Sequence, residues 1–174
     1  MQPRYWYLVR EMKLTRYTDY SLRVLIHLAA HENELTSIGR IASRYVISQN
    51  HLMKVVQDLA GAGFVETVRG RNGGLRLARP AAEINVGDLV RHTEGGFDLV
   101  ECGGCVIAPA CSLPRILAEA TRAFLATLDR YTIADLSSRP ADLRALFALK
   151  DTDAAVSDGI LDSDGITMSD DPHS

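Results

Sequence analysis

No apolar run in this sequence approaches the roughly 20 residues needed to span a bilayer, which excludes a transmembrane helix. The N-terminus MQPRYWYLVRE also lacks the continuous apolar core of a signal peptide, so a cytoplasmic chain with reduced thiols is expected. Cysteine is scarce: Cys102, Cys105 and Cys111 are the whole complement. An odd number cannot pair completely into internal disulfides, and structural zinc, which usually takes four ligands, is one short as well. Basic residues are missing altogether from 151–174 (DTDAAVSDGILDSDGITMSDDPHS), which holds seven Asp and no Lys or Arg. Large apolar residues are sparse there too, and the segment is predicted to be a disordered acidic tail. No internal repeat is present, and the alternating strand–helix–strand pattern of a thioredoxin-like enzyme is absent.

What remains is a chain of 174 residues with 47% hydrophobic content, enough for one domain with a real core plus appendages. The net charge of −3 argues against a nucleic-acid partner only until its distribution is considered. Residues 1–150 carry nineteen basic and fifteen acidic side chains, a net of +4. Between 36 and 79 there are seven basic residues (Arg40, Arg44, Lys54, Arg69, Arg71, Arg76, Arg79) and two acids (Asp58, Glu66). A local basic patch fits DNA contact; the alternative is a solvated charged face.

The patterning supplies the architecture. LTRYTDYSLRVLIHLAAHE places Leu22, Leu25, Ile26, Leu28 and Ala29 near helical spacing, with Thr18 as the predicted N-cap and Asp19 in the first turn. A short second helix is predicted to open at Thr36 or Ser37. In SQNHLMKVVQDLAGAG, Ser48 is the predicted N-cap and Leu52, Val55, Val56 and Leu59 follow the i, i+3, i+4, i+7 pattern of a buried face. FVETV, RGRNGG and LRLAR then read as a hairpin with Asn72-Gly73 in a tight turn. Three helices and a basic hairpin, in this order, predict a mainly α fold with a small β-hairpin wing: a winged helix-turn-helix.

A short helix around Val86–His92 and a glycine-containing loop lead into ECGGCVIAPACSLPRI. After it, Ser112 and Pro114 suit a helix start, and Ile116, Leu117, Ala120, Phe124, Leu128 and Tyr131 form one stripe. A long helix beyond the DNA-binding unit predicts a dimerisation element; the alternative is that it packs back on its own domain. A last helix is expected over 140–149. The resulting division is an N-terminal extension (1–11), the winged helix-turn-helix (12–82), the cysteine loop and long helix (83–150) and the tail (151–174).

Two sites carry chemistry. A recognition helix inserts its first turns into the major groove, so Gln49, Asn50 and His51 are candidates for base edges and Lys54, one turn on, for a phosphate, with Ser48 at the helix start included in the DNA-binding set. Arg69 and Arg71 on the wing are candidates for the backbone or the minor groove. Cys-x2-Cys-x5-Cys gathers every thiol into ten residues, a ligand-type pattern open to an iron–sulfur cluster, to zinc with a fourth donor, or to thiol redox chemistry. No activated nucleophile beside a substrate pocket is legible, so an enzyme is not expected.

The segments MKLTRYTDYSLRVLIHLA, SQNHLMKVVQDLAGAGFVETVRGRNGGLRLAR and CVIAPACSLPRILAEATRAFLATLDRYTIADL together resemble the Rrf2 family of bacterial winged-helix regulators, and within it the nitric-oxide-sensing repressors. The resemblance covers about residues 12–150. It implies a homodimeric repressor of operator DNA, with nitric oxide as the signal and Cys102, Cys105 and Cys111 as thiolate ligands of an iron–sulfur cluster of two-iron two-sulfur or four-iron four-sulfur type. It further implies that Asp19 completes the site from the opposite subunit; read from the residues alone, Asp19 is simply well placed at a helix N-terminus. Members that regulate cluster biogenesis carry a histidine three residues beyond the last cysteine, where this chain has Pro114. Other readings within the same fold are an iron- or redox-responsive regulator and a zinc-stabilised DNA-binding protein.

Overall fold

Val24, Leu25 and Leu28 are fully buried along one face of the first helix, α1 (Arg16–Ala30), and the rest of the molecule packs around them. The computed structural model describes residues 13–158 other than Asn33 and Asn72, and only the backbone of 150–158. After α1 come α2 (Ile38–Tyr45), α3 (Gln49–Gly61), strands β1 (Val65–Val68) and β2 (Gly74–Leu77), α4 (Val86–Glu94), α5 (Leu113–Leu128), α6 (Ile133–Leu136) and α7 (Pro140–Asp158). The architecture is mainly helical with one two-stranded antiparallel sheet, in winged-helix order. Among the described residues no helix is long and apolar enough to cross a membrane.

Thr15, not Thr18, caps α1: its hydroxyl accepts the Thr18 N–H at 3.3 Å. Thr18 lies inside the helix, buried, and donates its hydroxyl to Thr93 on α4 at 2.8 Å. Two threonines three residues apart carry the same capping signal, and only the α4 contact decides between them. Ser37, one of the two residues expected to open α2, caps it by accepting from Arg40 N–H. Ser48 occupies the N-cap position of α3 without a side-chain capping bond. Leu52, Val55, Val56 and Leu59 are all buried on α3, as their spacing predicts.

The wing hairpin pairs Val65 with Leu77 through to Val68 with Gly74, which makes its connection the five residues 69–73 rather than a two-residue turn. The left-handed φ of +114° falls at Gly70, whose carbonyl accepts the Gly73 N–H; Asn72, the other residue of the predicted tight turn, lies outside the described residues. Thr36, just before α2, exchanges two backbone hydrogen bonds with Leu75 (3.1 and 2.9 Å) and so ties the wing to the helix-turn-helix.

The second half is docked through α4. Asn85 caps it, accepting from Asp88 N–H while donating its own side-chain amide to the Asp129 carbonyl. Arg91 grips the Asp129 carboxylate with both guanidinium nitrogens (2.7 and 2.6 Å). That side-chain hydrogen bond holds the Asp129 carboxyl below its ordinary pKa. A depressed carboxyl stabilises the fold above the unfolded-state pKa, and this contribution is lost as pH falls through the lower folded value.

No residue of α5 is buried, and Leu113, Ile116 and Phe124 are exposed. Leu125 and Leu128 rest partly on the core, so α5 is anchored at its C-terminal end and open along its length. Helix α7 returns to the first unit: Arg144 donates to the Ala30 carbonyl at the end of α1 (2.8 Å), and the Phe147 ring lies against His27 and Tyr45. It continues to Asp158, past the boundary expected at 150, because extending a formed helix costs far less than nucleating one and Ala154 and Ala155 suit it. The remainder of the predicted tail, 159–174, and the extension 1–11 lie outside the described residues.

Two stability predictions follow from these contacts. A Cβ at Gly87 would collide with the Asp129 carboxylate, so Gly87→Ala should destabilise the protein by about 1–3 kcal/mol, read as a lower urea midpoint. Val46, between α2 and α3, is a β-branched residue at φ +55° with its side chain 80% exposed. Relief of that left-handed strain exceeds the added backbone freedom of glycine, so Val46→Gly should stabilise by about 0.5–1 kcal/mol, seen as a raised Tm.

Candidate DNA-reading face and thiol segment

The apolar stripe of α3 determines what its other side offers. With Leu52, Val55, Val56 and Leu59 turned inward, Ser48, Gln49, Asn50, His51 and Lys54 are all exposed, four of them at the start of the helix. Amide, imidazole and hydroxyl groups in a first helical turn carry the donors and acceptors that base edges require, and an ammonium one turn later suits a phosphate. Arg69 and Arg71 are exposed on the wing loop.

The basic patch is smaller than its composition suggests. Arg44 is 6% exposed and faces His27 across 3.3 Å. Arg76 forms a fork with Glu66 on the paired strand (2.9 and 3.0 Å), and Arg79 lies over the Phe64 ring. Lys54, Arg69 and Arg71 are exposed within the chain's basic region.

Cys102 and Cys111 are half-buried, Cys105 is exposed, and none forms a disulfide. The backbone between them is a succession of turns: Cys105 N–H donates to the Cys102 carbonyl, Ala108 N–H to that of Cys105 and Cys111 N–H to that of Ala108. Gly104 takes φ +81°, a conformation few other residues adopt readily. The donor set suits thiolate-bound iron, and three accessible thiols on so short a segment fit an iron–sulfur cluster chemically. Among the described residues no three His, Cys, Asp or Glu side chains converge as a metal site. Asp19 stands on α1, half-exposed, held by both carboxylate oxygens to Arg23 Nε at 2.9 Å. His92, the histidine nearest the thiols in sequence, is engaged elsewhere, with its Nε2 2.8 Å from Asp58 Oδ2.

The contacts that join these parts lie between residues too distant in sequence for spacing to reveal. Glu94, the last residue of α4 and the start of the run to the cysteines, accepts from Thr15 N–H and Oγ1, locking the beginning of α1 to the end of α4. Asp58 on α3 meets His92 on α4 and Tyr17 on α1. Burial, reinforced by the hydrogen bond to Asp58, pushes the Tyr17 hydroxyl up to about 12. Helices α1, α3 and α4 thus share one polar junction. Beside it, between α1, α4 and α5, lies an apolar groove of about 520 Å³ lined by Leu14, Leu22, Val90, Phe97, Phe124 and Leu128.

Comparison with known proteins agrees with the winged-helix fold. A family model described as an iron-dependent transcriptional regulator, Rrf2, matches residues 14–139. The chain is 51% identical over 146 residues to the HTH-type transcriptional regulator NsrR of Bacillus subtilis, a match covering 80% of this chain and 100% of that one. It is 50% identical over 141 residues to NsrR of Geobacillus kaustophilus, covering 78% and 96%. Among solved structures it is similar to CymR, the global cysteine regulator of B. subtilis (TM-score 0.58, 30% identity, 74% of this chain and 98% of that one). IscR of T. potens is similar as well (TM-score 0.60, 28% identity, 72% and 85%).

Proposed function

Since the chain belongs to the Rrf2 family of transcriptional regulators, we propose that it represses transcription as a homodimer, that it carries an iron–sulfur cluster, and that nitric oxide releases it from its operator. The observation that carries this reading is the pairing, in one chain, of a polar, exposed first turn on α3 with a segment that concentrates all three thiols immediately before an uncovered α5. The similarity to regulators named NsrR supports it.

In this reading the dimer forms along α5, whose Leu113, Ile116 and Phe124 are exposed among the described residues. The two copies of α3 then face successive half-sites of a palindrome. Gln49, Asn50 and His51 meet base edges, Ser48 and Lys54 the backbone, and Arg69 and Arg71 flank the site from the wing. Cys102, Cys105 and Cys111 hold the cluster, with Asp19 of the opposite subunit as the fourth ligand. Bound there, the cluster supplies iron that nitric oxide can ligate. Asp19 is suited to a labile corner because a carboxylate holds iron less tightly than a thiolate, and in the isolated chain Arg23 already offers it another partner. Exchange of Asp19 between those partners bears on the first turns of α1. Through Thr15 and Glu94 that movement is shared with α4, and through Asp58 with the recognition helix.

Anaerobically purified protein is expected to be coloured, to contain iron and sulfide, and to run as a dimer, and nitric oxide should lower its operator affinity by about tenfold or more. A colourless protein without iron or sulfide, whose operator binding ignores nitric oxide, would end this reading. A response to oxygen or a chelator alone would select the iron- or redox-responsive alternative. On the DNA side, Lys54→Ala should weaken binding to all sequences alike and reduce the salt slope by about 1, whereas Asn50→Ala should relax preference at one base pair by about 1–3 kcal/mol. Gel-shift titrations across salt and single-base operator variants distinguish the two effects.

A further inference from the structure

We infer that the Asp-rich segment 151–174 is an internal competitor for DNA: in the free protein it occupies the basic face formed by the start of α3 and the wing of its own chain. The inference rests on the DNA-binding reading above and adds a regulator to that same face.

Three observations bear on it. The first is charge. Asp151, Asp153, Asp158, Asp162, Asp164, Asp170 and Asp171 stand in a segment with no Lys or Arg, on a chain whose first 150 residues carry +4. The face opposite them is cationic after its internal ion pairs are discounted: Lys54, Arg69 and Arg71 are exposed, while Arg76 is neutralised by Glu66. A duplex presents a row of negative charge that such a face attracts, and carboxylates supply the same sign at lower density.

The second is where the segment is rooted. Helix α7 is fixed to the helix-turn-helix by Arg144 on the Ala30 carbonyl and by Phe147 against His27, His31 and Tyr45. Tyr45 is the last residue of α2, and Ser48 follows three positions later at the head of the recognition helix. The anchor therefore lies beside the turn that presents α3. The third is reach. From Phe147 the helix runs on to Asp158, about 16 Å at 1.5 Å per residue. Sixteen residues follow, and their fully extended span of about 50 Å exceeds the width of a small domain. A tether of this length holds its charges at an effective concentration in the millimolar range, so an attraction too weak to matter between separate molecules competes within one. Few large apolar side chains are available in the segment for a packed interface, which leaves electrostatics as the attraction.

Competition of this kind acts first on weak binding. Non-specific DNA, held by phosphates alone, loses more occupancy than an operator that adds base contacts, and the search of the genome is sharpened. Salt screens the tail and the DNA together, so the tail also flattens the salt dependence of binding.

The test compares the full chain with D162N/D164N/D170N/D171N and with a chain ending at Asp158, each in the same cluster state. Binding to operator and to unrelated duplex is measured by fluorescence anisotropy from low to high salt. Both altered chains should bind about threefold to tenfold more tightly at low salt, more so for unrelated duplex, with a steeper salt slope and a gap that closes as salt rises. Carbodiimide, which joins carboxylates to amines, should link the tail to Lys54 of the same chain in free protein, and operator should abolish the link. Equal affinities and slopes for all three chains would overturn the inference, as would a Lys54 link found only between chains in a mixture of isotopically heavy and light protein. The DNA-binding reading fails separately: in that case Lys54→Ala leaves binding and its salt slope unchanged in the chain ending at Asp158.

Discussion

The burial of α1 is the constraint on which the other elements depend. Val24, Leu25 and Leu28 are removed from solvent, and the helix that carries them packs against α3, α4, α6, α7 and the wing strand β2. Each buried aliphatic side chain contributes about 1.5–3 kcal/mol relative to exposure, so neighbours that lost this surface would lose the means of holding their own positions. Polar ends matter too: Thr15 and Thr18 at the start of α1 meet Glu94 and Thr93, and the Ala30 carbonyl at its end meets Arg144. One helix thereby sets the relative placement of the recognition helix, the helix leading to the cysteines and the helix leading to the acidic segment.

Around this hub the molecule separates a well-packed part from an open part. The helix-turn-helix and wing hold most of the core, including Ile41, Leu52, Leu59 and Leu75. The cysteine segment and α5 contribute no fully buried side chain, and Val106 and Ile107 are among their exposed apolar residues. Surface of this kind on a helix of sixteen residues is what a second subunit covers in a two-chain regulator. The single chain supplies three thiols and a carboxylate already engaged with Arg23. Three thiols on an exposed segment and an apolar helix that follows directly after them are thus neighbouring features of the same open part of the molecule.

How much of this was legible depended on whether the signal was local. The stripe Leu52, Val55, Val56, Leu59 predicted both α3 and which of its sides is exposed, because a period of 3.6 residues is a property of the sequence itself. The start of α2 was legible to within one residue, Thr36 or Ser37, because a capping hydroxyl is also a local signal, and the structure selects Ser37. Thr18 was misread as the cap of α1, since its hydroxyl is taken by Thr93, 75 positions away. The basic count between 36 and 79 overstated the patch because a composition does not distinguish Arg44, buried beside His27, from Lys54 in solvent. The wing turn was expected at Asn72-Gly73, yet the strand register begins at Gly74, held there by the backbone of Leu35 and Thr36 against which no Cβ fits well.

The sequence by itself determined the order of elements, the inward and outward faces of α3, and the concentration of every thiol into ten residues, because each is a matter of periodicity or spacing along the chain. Tertiary structure alone decided which charges reach solvent, that Asp58 joins α1, α3 and α4, and that α5 stays uncovered while α7 returns to the turn before the recognition helix. The physical reason is that hydrogen bonds and burial are settled between residues that meet only after the chain has folded. Cys102, Cys105 and Cys111 belong to both categories: their grouping is written in the chain, and their accessibility is a product of the fold.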